Sequence, residues 1–159
     1  MFESIPLLVP IGYLALVAVE LSSIDVTEHR LPNHYTLRLF ALSTPAVFIS
    51  AVLAQDWQRL SFAWLSALIT AGLGLLLVLG GGFGMGDVKL LVSLNLILGY
   101  LSPWLVVLSN VTSVFTAALA GFAKLLLGKS QLKNSIAFGP FLIASFFLAT
   151  GISLFSEVY

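Results

Sequence analysis

The sequence contains no cysteine, and only 9% of its 159 residues are charged. The absence of cysteine excludes disulfides, a thiol nucleophile and any zinc site that needs thiolate ligands. Soluble domains carry about 25% charged residues, so this chain has too little polar surface to face water on all sides. Basic and acidic residues balance at seven each, which leaves no net positive charge to attract nucleic acid.

Long apolar runs fill most of the chain, which is 59% hydrophobic. A helix needs about 20 apolar residues to cross the hydrocarbon core, and lipid leaves a backbone no hydrogen-bond partners outside its own helix. The runs therefore predict an all-α membrane protein forming one domain over residues 1–159. The six predicted transmembrane helices are Pro6–Ile24, Tyr35–Ala54, Leu60–Gly80, Val88–Leu101, Pro103–Leu127 and Ile136–Phe155.

The basic residues gather on one side of these helices. The opposite side holds only Arg59. Because Lys and Arg concentrate on the cytoplasmic side, we expect both termini outside and the loops after helices 1, 3 and 5 in the cytoplasm. Those loops and the adjoining helix ends contain Arg30, Arg38, Lys89, Lys124, Lys129 and Lys133.

Two aspartates lie on the predicted cytoplasmic side, Asp25 in "SSIDVTEHRLPNHY" and Asp87 in "GGGFGMGDVKLL". The third, Asp56, lies on the outer side beside Arg59 and is interpreted as an ordinary loop charge. A carboxylate within a span costs about 3 kcal/mol and is a functional candidate by default. The alternative is that Asp25 and Asp87 are only interfacial charges at helix ends.

Several features around Asp87 are expected to change the pKa of its carboxyl group. If helix 4 begins at Val88, Asp87 is its N-cap, where backbone N–H groups and the helix dipole favour the anion. Burial and a second carboxylate favour the proton instead. Two close aspartates share one proton, so that one takes a proton from water and the other donates to a scissile carbonyl. This chemistry needs no cofactor and no metal, and the sequence does not assign the acid and the base.

The glycine run before Asp87 has two interpretations. Glycine permits unusual backbone angles and the close approach of another backbone. The run then gives an extended peptide access to Asp87, or it only caps and ends helix 3. The glycines concerned are Gly80, Gly81, Gly82, Gly84 and Gly86.

Three segments together resemble a known family. "GMGDVKLL", Gly84–Leu91, resembles the signature of the GxGD membrane aspartyl proteases and continues as in their type IV prepilin peptidase branch. "DVTEHRLPN", Asp25–Asn33, is similar to the first motif of that branch, and "FGP", Phe138–Pro140, to the start of its last helix. The resemblance implies that Asp25 and Asp87 are catalytic.

The resemblance also implies a substrate and a membrane location. The substrates would be prepilin or pseudopilin precursors, cleaved at the cytoplasmic face of the cell membrane after a short basic leader. The chain lacks the CxxC-bearing insertion of bifunctional members, so methyltransferase activity is not expected. It resembles the short, peptidase-only form of tight-adherence (Flp-type) pilus systems, and archaeal preflagellin peptidases are also relatives.

Eight further residues are predicted to bind substrate or shape the loops. Arg30 is interpreted as a membrane anchor or a substrate contact, and Lys89 as snorkelling to the headgroups. Pro32 and Asn33 predict a turn that opens helix 2, with Asn33 able to cap it. The full set is Gly84, Gly86, Arg30, Pro32, Asn33, Lys89, Gly139 and Pro140.

Other polar residues receive structural interpretations. Glu20, one turn inside helix 1, is expected to face a wet cavity or a polar partner. Asn95 and Asn110 are expected to hydrogen-bond between helices. His29 and His34 have poor spacing for a metal site.

Three other functions remain open at the level of sequence. A presenilin-like protease would cut deep inside substrate helices, which the small size and the "RLPN" motif disfavour. A small ion- or proton-coupled transporter would use the same aspartates, although transporters often show paired broken segments and only one is present here. A platform for pilus assembly would need neither aspartate.

Overall fold

The computed structural model describes residues 2–28, 30–81, 84–126 and 137–156. Its main elements in this part of the chain are six α-helices, preceded by a 3₁₀ turn at Phe2–Leu7. The prediction of an all-α protein with six helices is confirmed. The helices are α1 Leu8–Glu28, α2 Asn33–Ala54, α3 Trp57–Leu79, α4 Met85–Leu101, α5 Pro103–Leu126 and α6 Gly139–Ser156.

Four helical segments are long and apolar enough to cross a membrane. They are Ser4–Glu28, Asn33–Ala54, Trp57–Leu79 and Pro103–Ala123. Helix α4 has 17 residues, which at 1.5 Å per residue gives about 26 Å, slightly less than the hydrocarbon thickness of about 30 Å. The segment Gly139–Ser153 of α6 is also a shorter apolar helix.

Helix α4 is the centre of the bundle. Its residues from Ser93 to Tyr100 are all buried, and it packs against α2, α3, α5 and α6. The outer helices instead expose large apolar side chains: Leu16 and Val19 of α1 are 85% and 81% exposed, and Leu79 of α3 is 84% exposed. Such a surface is stable in lipid and unfavourable in water.

Small residues let α3 approach α4 closely. A Cβ atom at Gly99 would lie 2.9 Å from Ser66 Cβ and 3.0 Å from Ala63 Cα, and one at Gly74 would lie 2.7 Å from Val88 Cγ1. Gly74 therefore allows close packing between the two helices. Gly72 does not have this role, because a Cβ there would meet nothing within 4 Å.

A polar cluster joins α3, α4 and α5 inside the apolar core. The Asn95 amide donates to Thr70 Oγ1 at 2.9 Å and to Asn110 Oδ1 at 3.3 Å. The prediction that Asn95 and Asn110 are interhelical partners is confirmed. Such bonds hold helices together where the hydrophobic effect cannot.

Helix α3 begins and ends with local capping. Asp56 accepts a hydrogen bond from the Arg59 N–H at 3.0 Å and forms an ion pair with its guanidinium. At the other end Gly81 has a φ of 73°, a conformation that favours glycine, and its N–H donates to the Val78 carbonyl. The capping interpretation therefore holds for Gly80 and Gly81. Predictions that involve His29, Gly82, Lys129, Lys133 and the Lys124 side chain lie outside the described residues.

Candidate active site

Asp25 lies in the last turn of α1 and is only 3% exposed. Helix α1 continues to Glu28, four residues beyond the predicted end, so Asp25 belongs to the helix. Its Oδ2 accepts a hydrogen bond of 2.7 Å from the Gly139 N–H, the first residue of α6. A buried carboxylate is tolerated when a donor satisfies it, and here that donor is the end of another helix.

Asp87 lies in the first turn of α4. The prediction that Asp87 is the N-cap is wrong, because α4 begins at Met85 and Gly84 is its N-cap. Asp87 is therefore the third residue of the helix, and its Oδ2 accepts the Gly84 N–H at 3.2 Å. This is half of a capping box, which glycine can join through its backbone alone.

The environment of Asp87 favours its protonated form. The residue lies outside the four candidate membrane spans. Burial, with a smaller contribution from the Asp25 carboxylate, raises the pKa of Asp87 to about 6, while the Gly84 N–H acts in the opposite direction. Its Oδ1 atom is buried and has no hydrogen-bond partner in the described part of the chain. The two aspartates are thus close enough to influence each other.

The glycines next to the two aspartates allow close contacts within the protein. A Cβ at Gly86 would lie 2.8 Å from Leu31 Cβ and 3.0 Å from the Leu31 carbonyl oxygen. A Cβ at Gly139 would lie 2.8 Å from Asp25 Oδ2 and 3.3 Å from Leu31 Cδ2. The backbone that approaches Gly86 is therefore that of Leu31, where sequence reasoning placed a substrate peptide.

Lys89 and Asn33 connect α4 to the start of α2. The Lys89 Nζ donates to Asn33 Oδ1 at 2.8 Å, so Lys89 has a partner within the protein, while its snorkelling to the headgroups stays a prediction. Asn33 does not cap α2 either: Pro32 is the N-cap, and its carbonyl oxygen accepts from the Tyr35 and Thr36 N–H groups. The amide of Asn33 is used instead to hold a neighbouring helix.

The remaining predicted residues lie around this cluster. Arg30 is exposed in the connection between α1 and α2. Pro140 is the second residue of α6, a position where its missing N–H costs nothing. Glu20 is exposed on α1, and its expected contact with a wet cavity or a polar partner stays a prediction.

Leu31 is the residue that sequence reasoning missed. It is only 7% exposed while Arg30 and Asn33 beside it are exposed. An apolar residue between polar neighbours in a short connection is a signal of inward packing. The motif contained this signal, but its partners Gly86 and Gly139 are distant in sequence.

The site can support acid–base chemistry. It has two buried or partly buried carboxylates. Asp25 accepts a short hydrogen bond from a backbone N–H, and Asp87 has a buried oxygen atom with no partner among the described residues. Within the described ranges, no three His, Asp or Glu side chains are grouped as metal ligands would be.

Comparison with known proteins identifies the family. No curated protein and no solved structure gives a significant match. A family model described as the type IV leader peptidase family matches residues 12–155, which is most of the chain and includes both aspartates. This family consists of aspartic peptidases of the inner membrane, which sets aside the transporter and platform alternatives. The chain therefore belongs to the type IV leader peptidase family and is a multi-pass membrane aspartic peptidase whose family acts on prepilins.

Proposed function

We propose that Asp25 and Asp87 form the catalytic pair that removes the leader peptide from type IV prepilin-like precursors. The observation that carries the proposal is that Leu31 contacts both Gly86, the residue before Asp87, and Gly139, which donates to Asp25. The charge of Asp25 also contributes to the raised pKa of Asp87. Two interacting carboxylates that share one proton are the requirement of aspartic protease chemistry.

The hydrogen bonds support different roles for the two residues. Asp25 accepts a short bond from the Gly139 N–H at the start of α6, and a backbone donor at a helix N-terminus stabilises a carboxylate. The bond from Gly84 to Asp87 is longer, 3.2 Å, and Asp87 Oδ1 has no partner among the residues that the structure describes. Asp25 is therefore the base, and Asp87 carries the shared proton and is the acid.

The reaction follows from these roles. Asp25 takes a proton from water as the water oxygen bonds to the scissile carbonyl carbon, and Asp87 donates its proton to the carbonyl oxygen. Asp25 then passes its proton to the leaving nitrogen as the C–N bond breaks, and a hydroxyl of the gem-diol returns a proton to Asp87. The products are a free carboxyl on the leader and a free amine on the mature subunit, and both aspartates regain their starting states.

The membrane orientation belongs to the same proposal. The six predicted transmembrane segments cross the membrane, with both termini outside and the aspartates at the cytoplasmic boundary. The basic residues Arg30, Arg38 and Lys89, which lie in the loops after helices 1 and 3 or at the adjoining helix ends, support this orientation. A C-terminal tag should be accessible only from outside intact cells, and access only from the cytoplasm contradicts the orientation.

The decisive experiment is Asp25→Asn and Asp87→Asn, each assayed with a prepilin whose basic leader ends in glycine. Each variant should lose about 10²–10⁴-fold in kcat/KM, the range for removing a general acid or base. Asp56→Asn is the matched control and should cleave normally. Normal processing by either Asp25→Asn or Asp87→Asn contradicts the proposed mechanism.

The absence of the CxxC-bearing insertion supports a single activity. The mature subunit should leave the enzyme with an unmodified N-terminal amine, which mass spectrometry of the cleaved product tests. A mass increase of one methyl group after incubation with a methyl donor contradicts this part of the proposal.

A further inference from the structure

Leu31 contacts both glycines that adjoin the aspartates. Its Cβ and backbone approach Gly86, the residue before Asp87, and its Cδ2 approaches Gly139, whose N–H binds Asp25. These contacts are close enough that a Cβ at Gly86 could not fit without movement. One side chain from the connection between α1 and α2 therefore touches the first turn of α4 and the first turn of α6.

A second contact fixes the same connection to α4. The Lys89 ammonium group donates to Asn33 Oδ1 at 2.8 Å. Asn33 lies two residues after Leu31, and Lys89 lies three residues after Gly86, almost one helical turn along α4. Leu31 and Asn33 together thus join the connection to α4 at two points and restrict its movement.

We propose that Leu31 is a positioning residue for the reaction, which sets the separation of Asp25 and Asp87 by spacing the first turns of α4 and α6. The Lys89–Asn33 hydrogen bond keeps Leu31 in place. This inference rests on the proposed function of the two aspartates. It assigns Leu31 no contact with the substrate, so its effect should appear in kcat rather than KM.

A smaller side chain at position 31 is expected to lower the pKa of Asp87. Leu31→Ala removes the contact with Gly139 and leaves space that water can enter. Water in this space would reduce the burial that raises the pKa of Asp87. The alkaline limb of the pH–rate profile, where Asp87 loses its proton, should therefore move to lower pH.

The charge that acts on Asp87 is that of Asp25 from α1. Of the charged residues near it in sequence or in the connection, Lys89 of α4 is hydrogen-bonded to Asn33 and Arg30 is exposed, while the first two residues of α6 are Gly139 and Pro140. Leu31→Ala changes none of these charges. A shift of the pH profile in that variant would therefore report changed geometry.

The test uses purified full-length protein and a synthetic prepilin. Leu31→Ala should lower kcat by about 10- to 100-fold with KM within about twofold, because a displacement of about 1 Å costs this much. Leu31→Met, which is similar in volume, should recover kcat to within about threefold. Leu39→Ala is the matched control: Leu39 is a buried leucine of α2, and its truncation should reduce stability while leaving the pH profile unchanged.

Three outcomes overturn the inference. The first is a Leu31→Ala variant with normal kcat, and the second is a change in KM alone, which would make Leu31 a substrate contact. The third is an equal loss of kcat in the Leu31 and Leu39 variants without a shifted pH profile, which would make Leu31 merely structural. If both Asn variants at Asp25 and Asp87 are inactive, each of these results contradicts only the role of Leu31.

A double-mutant cycle covers the case in which Leu31→Ala does not fold. Lys89→Met and Asn33→Ala each remove one partner of the same hydrogen bond. If the bond positions the site, the two variants should each lower kcat about threefold or more, and the double variant should be no worse than the poorer single one. Strictly additive losses, or none, overturn the role of this bond in holding Leu31.

Discussion

The two aspartates of the site are held by different parts of the molecule. Asp25 is almost fully buried, and it accepts a hydrogen bond from Gly139, on a helix more than a hundred residues away in sequence. Asp87 is partly buried, and it accepts a hydrogen bond from Gly84, three residues earlier in the same helix turn. A tertiary contact thus positions the Asp25 side chain, and local capping positions the Asp87 side chain.

This difference explains how two chemically identical groups can take different roles. The Gly139 donor reaches Asp25 only when α1 and α6 are packed together, so it stabilises the carboxylate in the folded bundle alone. The Gly84 donor is available wherever α4 is helical, and its longer bond does not offset the burial of Asp87. The two carboxylates therefore have unequal environments, because the hydrogen bond to Asp25 forms only in the complete fold.

The largest expected contrast comes from lengthening each side chain by one methylene. Asp25 is enclosed, so Asp25→Glu should misplace its carboxylate and lower kcat/KM by about 10²-fold or more. Asp87 is partly exposed, and no described residue binds its Oδ1, so Asp87→Glu should lose only about tenfold. Steady-state cleavage of a synthetic prepilin measures both. Equal losses would mean that the two sites are equally constrained.

A smaller contrast is expected from the two glycine donors. Gly139→Ala would place a Cβ 2.8 Å from Asp25 Oδ2, whereas Gly84→Ala would place one 3.1 Å from Asp87 Oδ2 at an exposed N-cap. Gly139→Ala should lower kcat by about tenfold or more and Gly84→Ala by about twofold to threefold. Circular dichroism should show intact helices in both variants. A more harmful Gly84→Ala variant would reverse the comparison.

Stability should depend on pH through Asp87. Its pKa is 3.8 in an unfolded chain and about 6 in the folded protein, so between these values the folded state holds more protons. Its contribution to stability is therefore present below about pH 4 and is lost as the pH rises through about 6. The Asp87→Asn side chain does not ionise, so the variant does not lose stability in this pH range. Its Tm should therefore exceed that of the wild type by more at pH 7 than at about pH 4.

Thermal unfolding in one detergent over this pH range measures the difference. Asp56→Asn serves as the control, because the exposed Asp56 is paired with Arg59 at the other end of the bundle. A Tm difference for Asp87→Asn that does not change with pH would contradict the raised pKa of Asp87.

The smallest effect is expected at the third aspartate. Asp56 caps α3 and forms an ion pair with Arg59 on the surface. Asp56→Ala should lower the free energy of unfolding by about 1 kcal/mol, the usual value for a lost N-cap. Cleavage should be unchanged within about twofold. A loss of activity comparable to that of the Asp25 and Asp87 variants would contradict the interpretation that Asp56 only caps a helix.

Local features of the site could be predicted, and contacts between distant segments could not. The resemblance of Phe138–Pro140 to the start of a last helix agrees with the start of α6 at Gly139, and the interhelical hydrogen bonding of Asn95 and Asn110 followed from their residue types. The bond between Lys89 and Asn33 did not, because nothing in either segment specifies the other as its partner. Leu31 was missed for the same reason, since its role depends on Gly86 and Gly139 together.

The sequence by itself determined that the chain is a helical membrane protein with Asp25 and Asp87 at helix ends, because apolar length and helix period are properties of single segments. Only the tertiary structure decided that α6 supplies the donor for Asp25 and that Leu31 packs between α4 and α6. It also decided that the backbone beside Gly86 belongs to the protein. These contacts join segments whose separation in sequence carries no information about distance, and the close packing of the bundle alone brings them together.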